Sequence, residues 1–346
     1  MIIQKCFFCK WIVPLFISTA ISGCAIAANN GTRSEYVLGT VCRIDLFENG
    51  SKDMYNLLFD RLAELDLIFS ANRDDSELAH VNRNAGFEPV RISAELYAVL
   101  ERALYFAGVS GGAFDPTVGP LVKLWGIGAE NPRVPPDGEI NAALDLINWQ
   151  DLELTENTAL LRRNGMALDL GAIAKGYAAD ELARILAENK IPRAIIDLGG
   201  NIYVWGNKAD NTSWRVGVQD PINERGSYMG ILEFNGSISI VTSGMYERYF
   251  TGEDGKRYHH IMGLAENEAR RGYPVENGLL STTIIAASSM DADALSTACF
   301  VLGYEKGLAL AAANGAEVLF IFEDKTIRGS PGSMVMLTIT GDYRPF

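Results

Sequence analysis

Apolar residues recur at Leu58, Leu62, Leu65 and Phe69, spacings of four and three that lay one stripe along a helix over residues 52–69. Before it, residues 35–47 roughly alternate and are rich in Val, Ile and aromatic side chains, with Gly39-Thr40 interrupting, and read as one strand. Ser93 is placed as the N-cap of a second helix to about residue 107, ended near Gly111-Gly112. Pro132, Pro135 and Pro136 mark residues 126–138 as an exposed excursion rather than a boundary between free domains. Residues 166–170 read as a short strand that breaks at Gly171 into a helix over about 172–187. Further strands are expected at 194–197, 214–218, 231–234, 238–242, 318–322 and 335–339. Most follow one another without long helical crossovers, which favours an antiparallel α+β fold over a doubly wound parallel sheet.

A chain of 346 residues exceeds a comfortable single core of about 150 residues. It shows no obvious linker, so one large or two interlocked domains are expected. The formal charge of −13 argues against electrostatic binding to nucleic acid or anionic lipid, which needs clustered Lys and Arg. The N-terminus has its own pattern. Lys5 and Lys10 precede an apolar run over 11–21, then Ser22, Gly23 and Cys24, as in an export signal too short for a comfortable membrane span. Ile-Ser-Gly-Cys at 21–24 resembles a bacterial lipobox, whose Cys24 would be lipidated after cleavage; an ordinary signal peptide is the alternative. The expected organisation is a signal over 1–23, a tether over 24–34 and a body over 35–346. Such a protein is exported and lipid-anchored to a bacterial membrane, facing the periplasm. Cys6 and Cys9 leave with the signal, and Cys42 and Cys299 read as small core residues, although export permits a disulfide. No C-x₂-C spacing remains for structural zinc.

The stretch from Ser289 to Thr297 sets Asp291 and Asp293 at a helix start, with Thr297 one turn beyond Asp293 on the same face. A carboxylate and a hydroxyl suit Mg²⁺; helix capping by Asp is the competing reading. Asp169-Leu-Gly-Ala-Ile-Ala-Lys-Gly-Tyr177 puts Gly171 at a turn into a helix, where free N–H groups favour a phosphate. Lys175 could reach that phosphate or pair with Asp169. The order is neither a Walker A loop nor a dinucleotide-binding glycine motif. Asp197-Leu-Gly-Gly-Asn201 is a tight turn or a close approach to a ligand. His259 and His260 are open to core, base or phosphate-contact roles.

Together with Gly-Ala-Phe-Asp-Pro-Thr at 112–117, Thr-Ser-Gly at 242–244, Tyr-His-His-Ile at 258–261 and Asp-Ala-Leu-Ser-Thr-Ala at 293–298, these motifs occur in the order of the ApbE family. From about Tyr36 to the C-terminus the chain resembles FAD:protein FMN transferases. The resemblance implies a T-fold-like α+β body with mostly antiparallel sheets flanked by helices. It implies Mg²⁺-dependent cleavage of the FAD pyrophosphate, transfer of FMN to a Thr or Ser hydroxyl of an acceptor protein, and release of AMP. It places Mg²⁺ on Asp293, Thr297 and the Ala172 carbonyl, with Ser296 nearby. FAD falls against Leu38, Asn72, Ala113, Phe114, Asp115, Asp169, Lys175 and His260, with His260 as general base. Asp293 is then the ligand, and Asp291 the cap. Departures from the family's pattern are Asn72 where Tyr is common, Leu38 where Met is common, Met245 after Thr-Ser-Gly, and the missing Asp-Pro after His260-Ile261. An amide at 72 offers less stacking area to a flavin, so hydrolysis of FAD to FMN and AMP is expected beside transfer. A flavin-carrying lipoprotein without chemistry is the alternative reading.

Overall fold

The structure, a computed structural model, describes residues 31–223, 226–265 and 270–346. The expected signal and Cys24 lie outside the described residues. A hairpin of β1 (Thr32–Val37) and β2 (Thr40–Leu46) leads into α1 (Lys52–Phe69), α2 (Glu77–Arg83), the short β3 (Val90–Arg91) and α3 (Ala94–Val109). Next come α4 (Gly119–Trp125), α5 (Asp137–Leu144), β4 (Leu152–Thr155), β5 (Thr158–Leu161) and α6 (Ala174–Glu188). Strands β6 (Ala194–Leu198), β7 (Asn201–Trp205), β8 (Trp214–Gln219), β9 (Tyr228–Phe234) and β10 (Ile238–Gly244) precede a small hairpin, β11 (Tyr249–Thr251) and β12 (Arg257–His259). The chain closes with β13 (Leu279–Ala286), α7 (Ser289–Ala313), β14 (Glu317–Phe322), β15 (Thr326–Gly329), α8 (Pro331–Met336), β16 (Leu337–Ile339) and β17 (Arg344–Pro345).

The body is built on a nine-stranded sheet in the order β1-β2-β6-β7-β10-β13-β14-β15-β17. All its pairings are antiparallel except β15 with β17, so the fold is α+β, as the sequence indicates. One face packs on α1, α3, α6 and α7 through Ile44, Leu62, Phe106, Leu182 and Phe300. The other carries a three-stranded layer, β16-β9-β8, over Val204, Ile240, Ile285 and Leu319.

The apolar stripe of α1 is buried at Leu58, Leu62, Leu65 and Phe69, and Ser51 caps it by accepting from Met54 N. Ser93 caps α3 in the same way, accepting from Leu96 N. Four expectations need correction. Residues 35–47 form two strands, because Leu38 (φ 54°) and Gly39 (φ 69°) turn left-handed between Val37 and Thr40, the turn that suits a two-residue hairpin. Pairing already begins at Thr32, inside the expected tether. At 166–170 the expected strand reduces to one isolated parallel bridge, Ala167 with Val118. The Asn82 amide takes the Leu168 backbone, donating to its carbonyl at 3.0 Å and accepting its N–H at 2.7 Å, while Asp169 N–H donates to Pro116 O at 2.9 Å. Of residues 335–339, the first two belong to α8 and only Leu337–Ile339 pair, since Pro331 starts a helix at N1. Strand β13, with no clear alternation in Leu-Leu-Ser-Thr-Thr-Ile-Ile-Ala, escapes a period-two reading because it is central and covered on both faces. Cys42 and Cys299 are free and fully buried, and burial pushes both thiols up to about 12.

Candidate active site

The two helices expected to carry the chemistry lie side by side on the sheet. Gly176 lets them touch: a Cβ there would come within 2.6 Å of Met290 Cα. Asp180, one turn further along α6, accepts from Ser289 N at 2.8 Å, Met290 N at 3.0 Å and Ser288 Oγ at 3.1 Å. A carboxylate from one helix thus satisfies the free N–H groups that open the other. Burial raises the Asp180 pKa, against the pull of these donors. Ser288 completes the cap by accepting from Asp291 N. The sequence reading of Asp291 as the cap is therefore corrected: its two oxygens accept from Arg102 of α3, each at 2.7 Å.

Asp293 follows, 4% exposed. Its Oδ2 accepts from Gly176 N at 3.0 Å and lies 3.5 Å from Lys175 Nζ. Lys175 also donates to Gly171 O at 2.8 Å, so it pairs with Asp293, while Asp169 Oδ1 accepts from Gly171 N at 2.8 Å and shapes the turn. Gly176 is the third residue of α6, where a helix leaves the N–H without an intrahelical partner, and Asp293 accepts it. Ser243 at the end of β10 meets Thr297 Oγ1 at 3.2 Å and Ser296 Oγ at 2.8 Å, and Ser296 also donates to Asp293 O at 2.8 Å. The Asp293 carboxylate and the Thr297 hydroxyl line one cleft with Ala172, and oxygen donors of this kind suit a small hard cation.

These groups open on a cleft of about 1730 Å³. Its walls include Leu38, Asn72, Ala113, Phe114, Asp115, Asp169, Ala172, Lys175, His260, Asp293 and Thr297. Every residue assigned from sequence to FAD or metal lines it except Ser296, which is fully buried and braces Asp293. Asp115 also stiffens its own turn, accepting from Thr117 N at 2.8 Å, Thr117 Oγ1 at 2.6 Å and Trp149 N at 3.1 Å. Asn72 is exposed on the rim.

The two histidines separate. His259 is buried, with Nε2 at 2.9 Å from Val275 O and Nδ1 accepting from Ile261 N at 3.3 Å, so Nε2 carries the proton and the ring is a core residue. His260 keeps part of its surface on the cleft, and its Nδ1 faces Arg248 O at 3.3 Å. Only an N–H can donate to that carbonyl, so Nδ1 holds the proton and Nε2 is left basic. Burial first, then the Arg248 charge, push the His260 pKa down to about 3. Arg248, which also reaches Gly39 O at 3.4 Å, and Asp180 were missed from sequence. Neither stands in a motif, and both matter only through contacts between distant segments.

A buried carboxylate and a lysine at a helix start, set in a cleft wide enough for a dinucleotide, define an α+β enzyme of phosphoryl-transfer type. The chain belongs to the ApbE family, whose model matches residues 38–320. It is 41% identical over 321 residues to the FAD:protein FMN transferase of Treponema pallidum, covering 87% of each chain. With that of Klebsiella pneumoniae it shares 36% over 297 residues, covering 85% of this chain and 90% of the relative. Among solved structures, the flavin transferase ApbE from Vibrio cholerae superposes with a TM-score of 0.77 at 32% identity, over 88% of this chain and 98% of that one. The ApbE protein from Thermotoga maritima gives a TM-score of 0.79 at 32% identity, with the same coverage.

Proposed function

We propose that this protein cleaves FAD and transfers FMN to a Thr or Ser hydroxyl of an acceptor protein, releasing AMP in a Mg²⁺-dependent reaction. The observation that carries the reading is the buried Asp293 carboxylate, held by Gly176 N–H beside Lys175 in the cleft. The acceptor oxygen bonds to the phosphorus of the FMN half, the bond from that phosphorus to the bridging oxygen breaks, and AMP departs with that oxygen. His260 Nε2 takes the hydroxyl proton. Free of substrate, its low pKa makes it a weak base; the anionic pyrophosphate offsets the cationic neighbours and moves it toward the range where general bases work. Lys175 neutralises charge that develops on the phosphate oxygens. Mg²⁺ held by Asp293, Thr297 and the Ala172 carbonyl would supply further neutralisation of the pyrophosphate.

A second reading is favoured by Asn72, exposed on the rim without an aromatic ring: loosely held FAD also reacts with water, giving free FMN and AMP. The N-terminal pattern supports export, lipid attachment at Cys24 and a position on the periplasmic side of a membrane. Mass analysis of products from FAD and Mg²⁺, with and without an acceptor carrying an exposed Thr, tests the whole reading. Transfer predicts acceptor heavier by FMN and one AMP each time; hydrolysis predicts AMP with free FMN; intact FAD in both samples would leave only a carrier. Cys24→Ala should move the protein from membrane to soluble fractions.

A further inference from the structure

The outer three-stranded layer stops short. Strand β8 is its last member and pairs with β9 alone, so among the described residues its other edge from Trp214 to Val218 has no strand partner. The nine-stranded sheet continues beyond it: on β6 Ile195 still packs against the outer core, but on β2 and β1 the outward side chains are open, with Tyr36 75% and Val41 60% exposed. Tyr36 and Val41 are register partners, so they share one face. An exposed edge and an uncovered sheet face side by side leave room for another strand.

This recess is continuous with the active site. Four successive residues of β8, from Arg215 to Val218, line the same cleft as Asp293 and His260, as do Ile195 and Ile202 of the sheet behind it. Successive side chains of a strand point to opposite faces, so an unbroken run of lining residues means that the backbone edge itself borders the cleft. The side chains at Trp214, Val216 and Val218 are buried in the outer core, which fixes the strand in place. Single small-molecule sites occupy about 300–1000 Å³, so a cleft of about 1730 Å³ has room beside a bound dinucleotide.

We infer that the acceptor protein enters as an extended segment that adds to the edge of β8 from Trp214 to Val218, lies over the open face of β2 and β1, and so carries its Thr or Ser hydroxyl to the site. This rests on the transfer reading above. Main-chain hydrogen bonds would supply most of the recognition, with Tyr36 packing on side chains of the segment. Such a mode asks for an unfolded or loop segment in the acceptor rather than a folded surface.

The test uses the full chain, FAD, Mg²⁺ and a pool of ten-residue synthetic peptides, each with one central Thr and varied flanks. The best-labelled peptide is then remade with one backbone N-methyl group at each position in turn. Only alternate residues of an added strand bond to the edge, so labelling should fall about tenfold or more at every second position and little between. Hydrogen exchange in β8 should slow on adding peptide and not on adding FAD alone. Tyr36→Asp should weaken peptide labelling while AMP release from FAD stays at the wild-type rate, and Tyr36→Phe should restore labelling. Labelling with no period-two pattern and no protection of β8 would overturn the inference, as would labelling of folded acceptor protein but of no peptide. Protection that rises with protein concentration and not with peptide would put a second copy there instead. FAD turnover with no labelling of any kind would remove the transfer reading, and this inference with it.

Discussion

The two sides of the cleft are built differently. On the helical side, Asp293 is buried and tied to Gly176 and Lys175, Asp180 caps α7, and Arg102 clamps Asp291 from a third helix. On the opposite rim, Asn72 is exposed, Leu38 sits in a left-handed turn, and Arg248 reaches across through one long hydrogen bond to Gly39 O at 3.4 Å. Groups that must meet developing charge need fixed positions, because a misplaced dipole stabilises nothing. Groups that grip a substrate can be looser and can vary. Leu38 and Asn72 fall on the rim, and the proposed Mg²⁺ ligands fall on the wall.

The comparison can be broken most directly at Asp293. Asp293→Asn keeps an acceptor for Gly176 N–H but loses the charge, so Mg²⁺-dependent FAD cleavage should fall by about 10²–10³-fold. The urea midpoint should move little; wild-type turnover in this variant would show that the wall does not carry the reaction.

A smaller effect on rate, but a larger one on folding, is expected at Asp180. Asp180→Asn retains one acceptor where Ser289 N, Met290 N and Ser288 Oγ now share two carboxylate oxygens. Stability should drop by about 1–2 kcal/mol, and turnover several-fold as α7 loosens. Urea unfolding read beside FAD cleavage separates the two. If activity falls no further than the unfolded fraction requires, Asp180 serves stability alone.

On the rim, Asn72→Tyr adds a ring whose stacking is worth about 0.5–1.5 kcal/mol. FAD should bind up to about tenfold more tightly, and release of free FMN should slow. Equal FAD retention after gel filtration, and equal FMN release, in the two proteins would deny the rim its role in grip.

The smallest effect concerns pH. Burial depresses the His259 pKa below its ordinary 6.5, so the folded ring resists the proton that the unfolded chain takes up. Its contribution is present above pH 6.5 and is lost as pH falls below that value, by at most about 1.4 kcal/mol per pH unit. Denaturant midpoints measured from pH 7.5 down to about pH 5 should decline less steeply in His259→Gln than in wild type. Parallel declines would assign the acid sensitivity elsewhere.

Much of this protein was legible along the chain, because helix stripes and turn residues act over a few positions. The period of Leu58, Leu62, Leu65 and Phe69 and the cap at Ser93 are local, and they settle α1 and α3. The i, i+4 placement of Asp293 and Thr297 likewise follows from helix geometry alone, and the order of short motifs identifies the family. Tertiary structure decided what depends on distant partners. Asp291 left the capping role because Arg102, 189 positions away, offers two charged hydrogen bonds. Residues 166–170 make only an isolated parallel bridge, Ala167 with Val118, because on the other side the Asn82 side chain takes the Leu168 backbone in place of a strand. β13 hides from an alternating pattern because both its faces are covered. A sequence displays the preferences of each residue, whereas satisfaction of buried polar groups and burial of both strand faces are settled only when far segments meet.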